Sequence, residues 1–317
     1  MILSINKKNL LRNSFRNFST IWFPKNKMDL DKIANNTLEI GKDIDANHPG
    51  FNDKTYVKRR KYLADYAIKH RFGKELPFLN YSKEEVKTWN VVLHNLEPLL
   101  EKFACKTYLS IWPEIKDKCG YANNIPQISD INVYLNKKTN FNIRPCAGLL
   151  SSRNFLNALA YRTFFSTQYI RHHSVPLYTP EPDICHEFIG HVPMFADQDF
   201  ADLSQEIGIA SLGACNEKIN KLAKCYWFSI EFGLTKEDNK LKAYGAGLLS
   251  SFGELEYACA PYRPAGEENN FPKYEEWNIN SVCDNDFPIT KYQPKYFIID
   301  NFKDLQYNIK NFVNNTI

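Results

Sequence analysis

What this chain lacks narrows its possible roles. No apolar run reaches the roughly 20 residues that a membrane-spanning helix needs. The eight cysteines are scattered and form no C-x-x-C pair. That argues against a disulfide framework or a zinc knuckle and for reduced thiols in an intracellular protein. Lys and Arg are spread among acids and the formal net charge is only +4, so no basic face for nucleic acid is expected. The sequence has no internal repeat and no low-complexity linker. From Met1 to Thr20 there is no acidic residue, while Lys7, Lys8, Arg12 and Arg16 alternate with Asn and Ser. With Leu3, Leu10, Leu11 and Phe15 on one side, this stretch reads as a basic organelle leader or a disordered tail. Residues 1–21 are therefore set apart from the fold, and a mitochondrial or cytoplasmic location is expected.

The remainder, 22–317, is long enough for one large domain with a sizeable core. It reads as mainly α with a few short β-strands. Leu30, Ile33, Leu38 and Ile40 predict a helix from Asp29 to Ile44. A second helix is expected from Tyr56 to His70, closed by Gly73. Ser82-Lys83-Glu84-Glu85 is a capping box opening a helix toward Leu100, with Pro98 bending it. Further helices are expected over Ser152–Tyr169, Asp202–Gly213 and Lys218–Gly233, and strands near Leu241–Tyr244 and Tyr296–Ile299.

The chemistry is concentrated in Pro180-Glu181-Pro182-Asp183-Ile184-Cys185-His186-Glu187-Phe188-Ile189-Gly190-His191. Imidazoles are the commonest metal ligands, and two stand five residues apart. On a regular helix the second His is turned about 140° from the first. Both reach one metal only if the helix bends or ends, for which Gly190 and Pro193 are placed; otherwise they are two partly exposed histidines. A zinc hydrolase using His186, His191 and Glu187 is an alternative, but the H-E-x-x-H spacing it would need is missing. Two histidines and one carboxylate on a face with open positions suit a non-haem Fe(II) oxygenase. Glu187 points away from His186 and fits an outer role better. Glu231, an acid in an aromatic run, is a candidate third ligand, and Glu206 competes with it.

These motifs, with Arg144–Arg153, Thr167–His172, Ser204–Ala214 and Ala243–Glu254, resemble the pterin-dependent aromatic amino acid hydroxylases from about Trp22 onward. The resemblance implies a single catalytic domain using Fe(II), O2 and tetrahydrobiopterin or another tetrahydropterin or folate. It implies His186, His191 and Glu231 as iron ligands, and Glu187 as a carboxylate facing the pterin. Gly148, Leu150, Ser152, Phe155, Ala223 and Tyr226 would form the pterin pocket, with Phe155 stacking on its ring. Arg171 would hold the substrate carboxylate. Tyr178, Thr179, Pro182, Trp227, Phe232 and Ser250 would surround the substrate. His172 and His173 receive no role beyond a structural one.

Within the family, Trp227 and the Tyr178-Thr179 pair resemble the members that convert L-phenylalanine to L-tyrosine; tyrosine and tryptophan hydroxylation are the alternatives. Two departures stand out: Phe165, where animal members carry His or Gln, and Cys146, where a Val is usual. The chain has little room for the regulatory domain or tetramerising helix of many members. A monomer or weak homo-oligomer without phenylalanine-driven control is the corresponding expectation.

Overall fold

The computed structural model describes residues 21–40, 44–122, 124–261, 271–289 and 291–315. The basic stretch Met1–Thr20 lies outside them. In chain order, α1 (Leu30–Ala34) leads into β1 (Thr37–Ile40). The helix expected to run to Ile44 therefore stops at Ala34. Asn35 and Asn36 turn the chain, with Asn36 N–H donating to the Ile33 carbonyl at 2.8 Å, and asparagines favour turns over helix interiors. The β-branched Thr37 then starts a strand paired antiparallel with β3 (Gly148–Leu150).

Helix α2 (Lys54–Lys69) is capped by Asp53, and α3 (Lys83–Phe103) opens on the expected capping box. Ser82 Oγ accepts from Glu85 N–H at 3.2 Å, and Glu85 Oε2 accepts from Ser82 N–H at 2.6 Å. Trp89, Val92, Leu93, Leu96, Leu99 and Leu100 form its buried face, and the helix runs through Pro98 to Phe103. Helices α4 (Lys106–Lys118) and α5 (Ile128–Lys138) extend the same core.

Strand β2 (Asn142–Pro145), β3, α6 (Ser152–Leu159) and β4 (Thr163–Ser166) follow. The helix expected to reach Tyr169 breaks at Arg162, whose φ of +48° lies in the left-handed region. Thr163, Phe164, Phe165 and Ser166 are all buried, which fits an enclosed strand rather than an amphipathic helix. Strand β4 pairs parallel with β2, setting Phe165 beside Arg144. The guanidinium of Arg144 lies 5.6 Å from the Phe165 ring centre, so this departure from the family pattern is accommodated inside the core.

A wide helical turn (His186–His191) runs into α7 (Val192–Met194), followed by α8 (Gln198–Ser211) and α9 (Asn216–Tyr226). A second wide turn, Trp227–Glu231, continues α9. Beyond it lie β5 (Leu234–Glu237), β6 (Lys240–Ala243), α10 (Ala246–Leu249), α11 (Phe252–Cys259), β7 (Lys273–Glu276), α12 (Ile279–Asp284), β8 (Lys295–Ile299) and α13 (Phe302–Asn315). The last four strands form a mixed sheet in the order β6-β5-β8-β7. The fold is thus mainly helical with a few short strands, as expected. No helix among the described residues is long and apolar enough to cross a membrane.

Helices α6 and α8 cross where Gly208 faces the end of α6. A Cβ on Gly208 would overlap the backbone of Leu159 and Ala160, none of which can move aside like a side-chain tip. Gly208→Ala should therefore destabilise the protein by about 1–3 kcal/mol, the range for overpacked sites. A urea titration checks this, with an unchanged midpoint as the contrary result.

Candidate metal centre and adjoining cavity

Helices whose hydrogen bonds skip five residues bring positions five apart onto one face. The His186–His191 turn has that geometry, with Val192 N–H bonded to the Glu187 carbonyl. The angular mismatch of a regular helix is removed by widening the turn rather than by a bend or an end. Glu231 sits on the second such turn, where Phe232 N–H bonds to the Trp227 carbonyl at 2.9 Å. Gly190 lets α10 lie directly on the first turn, because a Cβ there would come within 2.6 Å of the Ala246 carbonyl oxygen.

The two turns converge. His186 Nε2 and His191 Nε2 are 3.2 Å apart. Glu231 Oε1 is 3.2 Å from His191 Nε2, and its Oε2 is 3.5 Å from His186 Nε2. Atoms about 2.0–2.2 Å from one ion, at angles between octahedral and tetrahedral, lie about 3–3.6 Å from each other. The donor set therefore fits a single ion. Burial pushes the His186 imidazole down to about 3 and lowers that of His191, so both are neutral, as ligation requires. Ser250 Oγ donates to the Ala246 carbonyl at 2.7 Å. It must then accept, at 2.8 Å, the proton on His186 Nδ1. That leaves the lone pair on Nε2 aimed at the centre, the usual service of an outer partner. The reading of two partly exposed histidines fails for His191, which is fully buried. Glu206 is half-buried on α8 and outside the triad.

Glu187 is buried, and neither carboxylate oxygen has a hydrogen-bond partner of good geometry among the described residues. Burial pushes its carboxyl up to about 8. An orphaned carboxyl beside a metal face is a fit for a ligand that brings its own N–H groups.

A cavity of about 230 Å³ opens at the triad. Its walls include all the residues expected around a substrate: Arg171, Tyr178, Thr179, Pro182, Trp227, Phe232 and Ser250, with His186 and Glu231 at one end. The expected pterin-side residues line a different, packed region. Phe155 is fully buried, edge-on to Tyr226 at 5.2 Å and to Phe164 at 5.5 Å between ring centres. Phe164 in turn touches His191 at 4.5 Å. Gly148, Leu150 and Ala223 are also buried, and Ser152 is partly so.

Arg171 is only 5% exposed. Asp183, which the sequence reading passed over, holds it. Its Oδ2 accepts from Arg171 Nε at 2.9 Å and its Oδ1 from Nη2 at 2.8 Å, while Oδ1 also meets His186 N–H at 3.2 Å. Burial pushes the Asp183 carboxyl up, but the Arg171 charge and these bonds outweigh it and keep it below the ordinary range. The signal available in sequence was an acid three residues before the first histidine. Two more residues were missed, Glu254 and Gln293. Gln293 Oε1 accepts from Trp227 Nε1 at 3.0 Å, and Phe287 stacks on the indole at 4.2 Å. Glu254 Oε1 accepts from Gln293 N–H and Tyr296 O–H, both at 2.8 Å.

Burial pushes Glu254 up to about 7. A raised folded-state carboxyl binds its proton more tightly than the unfolded chain does, so its penalty is absent below about pH 4 and grows as pH rises to about 7. Glu254→Gln should flatten the fall in stability between pH 5 and 8, read from urea midpoints at each end. A variant that loses stability as steeply as the parent would contradict this.

Comparisons with known proteins agree with the geometry. The model of the biopterin-dependent aromatic amino acid hydroxylases matches residues 21–317. The chain is 48% identical over 300 residues to phenylalanine-4-hydroxylase of Caenorhabditis elegans, covering 94% of this chain and 64% of the relative. It is 46% identical over 295 residues to tryptophan 5-hydroxylase of Xenopus laevis, covering 93% and 60%. The solved phenylalanine hydroxylase of Chromobacterium violaceum, with bound iron(III) and 7,8-dihydrobiopterin, superposes with a TM-score of 0.65 at 28% identity, covering 75% of this chain and 83% of that one. The chain belongs to the biopterin-dependent aromatic amino acid hydroxylases. It spans 60–68% of the length of the curated relatives it matches.

Proposed function

We propose that this chain hydroxylates L-phenylalanine to L-tyrosine with O2 and a tetrahydropterin. The observation that carries the proposal is the meeting of His186, His191 and Glu231 beside a cavity that His186 and Glu231 line together with residues suited to an aromatic amino acid. The three donors would hold Fe(II). Bound there, ferrous iron and the tetrahydropterin would supply the electrons and the O2 chemistry. Phe155, Glu187, Gly148, Leu150, Ser152, Ala223 and Tyr226 are the residues we assign to the pterin. Since Phe155 is enclosed between Phe164 and Tyr226, this assignment requires the segment to open toward the ligand.

The chain's own part is orientation. Arg171, braced by Asp183, offers its remaining guanidinium edge to the amino acid carboxylate, so binding energy far from the reacting ring fixes where that ring lies. Trp227 and Phe232, 4.8 Å apart between ring centres, form the wall along which the ring slides toward the metal face. The indole is immobilised by Gln293 and Phe287, and this fixed wall favours a single six-membered ring over an indole. The protein is assayed aerobically with Fe(II), each of the three aromatic amino acids, and tetrahydrobiopterin or tetrahydrofolate, with products read by mass spectrometry. Tyrosine from phenylalanine should show the highest kcat/KM. A higher value for tryptophan or tyrosine would overturn the substrate, and no hydroxylated product from any of them would overturn the activity.

A further inference from the structure

Among the described residues, a second cluster of metal-ligating side chains converges outside the His186–His191–Glu231 triad. Asp53, His172 and His173 each offer a donor atom, all within 4.8 Å of one another. We propose that they form a second divalent-metal site of the zinc class, with Glu84 as a fourth donor.

Asp53 and His172 already face each other. Asp53 caps α2, and its Oδ1 is taken by Thr55 N–H at 2.8 Å and Tyr56 N–H at 3.1 Å. Its other oxygen, Oδ2, is thereby aimed at His172 Nε2, 3.3 Å away. His172 is buried, and its Nδ1 lies 2.7 Å from Ser174 Oγ. The Ser174 backbone N–H donates to the same Nδ1 at 3.3 Å, so the proton sits on Nε2 and is donated to Asp53 Oδ2; an entering ion would displace that proton and take both atoms. Two donors about 2.0–2.1 Å from a tetrahedral zinc stand about 3.3 Å apart, which is the Asp53–His172 separation. His173 stacks against His172, with ring centres 4.2 Å apart. Its side chain is 41% exposed, and Glu84 Oε2 lies 3.5 Å from its Nδ1. Glu84 is 64% exposed as well, so packing does not fix either side chain away from an ion. A cavity of about 310 Å³, lined by Asp53, Glu84, His173 and Arg171, gives an ion a way in. Two imidazoles with carboxylates suit zinc rather than Mg²⁺ or Ca²⁺, which call for oxygen ligands throughout.

The test uses the full chain loaded with Fe(II), titrated with zinc chloride by calorimetry and then dialysed for metal analysis. One zinc per chain should bind while the iron stays in place. His173→Ala, at an exposed position, should weaken zinc at least tenfold (about 1.4 kcal/mol) with iron content unchanged, and Asp53→Asn should do the same. Zinc that enters only as iron leaves, zinc held equally by both variants, or no zinc uptake at all would overturn the site. None of these readouts depends on hydroxylation, so the proposed activity stands or falls separately.

Discussion

Glu231→Ala is expected to give a folded protein that holds no iron and turns over no substrate. The triad has three protein donors and no spare: Glu206 lies outside it, and Glu187 is not among its members. Losing a mere outer partner of a metal ligand costs about 10–100-fold in affinity or activity, so losing a ligand should cost more. Metal analysis of the purified variant is one readout. Thermal stability is a second that needs no activity: ligand at 100 times its dissociation constant stabilises a native state by about 2.7 kcal/mol. Added Fe(II) should therefore raise the melting temperature of the parent chain and leave that of Glu231→Ala unmoved. His191→Ala should behave alike. Ser250→Ala should lose less, because it removes only the acceptor that sets the His186 tautomer. If Glu231→Ala kept full iron and turnover, the metal centre would have to be placed elsewhere.

The sequence disclosed the ligand set more readily than the geometry that unites it. His186 and His191 stand out by residue type, and Glu231 was separated from Glu206 only by the family resemblance; the meeting of the three depends on two wide helical turns. No side-chain pattern in Glu187-Phe188-Ile189-Gly190 or Phe228-Ser229-Ile230 announces a hydrogen bond that skips an extra residue. The turns are stabilised from outside, by α10 packed on Gly190 and by the core around Phe228 and Ile230. The expected helices failed for a related reason. Periodicity reads Leu38 and Ile40 as helical and Phe164 and Phe165 as one more turn. Pairing with β3 and β2, formed by residues far along the chain, decides both as strands. Capping, by contrast, is local, and Ser82 to Glu85 behaved as read. Asp183, Glu254 and Gln293 meet side-chain partners 12 to 66 positions away, and nothing in their immediate neighbours names those partners.

The second large effect is expected at the brace behind Arg171. Asp183 is fully buried and Arg171 nearly so, and three hydrogen bonds run from Arg171 to this one carboxylate. Removing one member strands a charge away from water. Broken buried pairs cost about 3–5 kcal/mol, while replacing both members by apolar residues of similar volume is often neutral. Asp183→Ala should therefore lower the melting temperature by roughly 10 °C for a domain of this size. Arg171→Met combined with Asp183→Leu should recover most of that loss. Function separates the two roles of the pair. At temperatures where all variants are folded, the double variant should still show a raised KM for phenylalanine, with kcat less affected, because stability has been restored without the guanidinium proposed to meet the substrate carboxylate. Differential scanning calorimetry and initial-rate kinetics on the single and double variants test both halves. An Asp183→Ala protein that melts with the parent would show that the pair is not the buried brace described, and a double variant with an unchanged KM would remove Arg171 from the substrate's path.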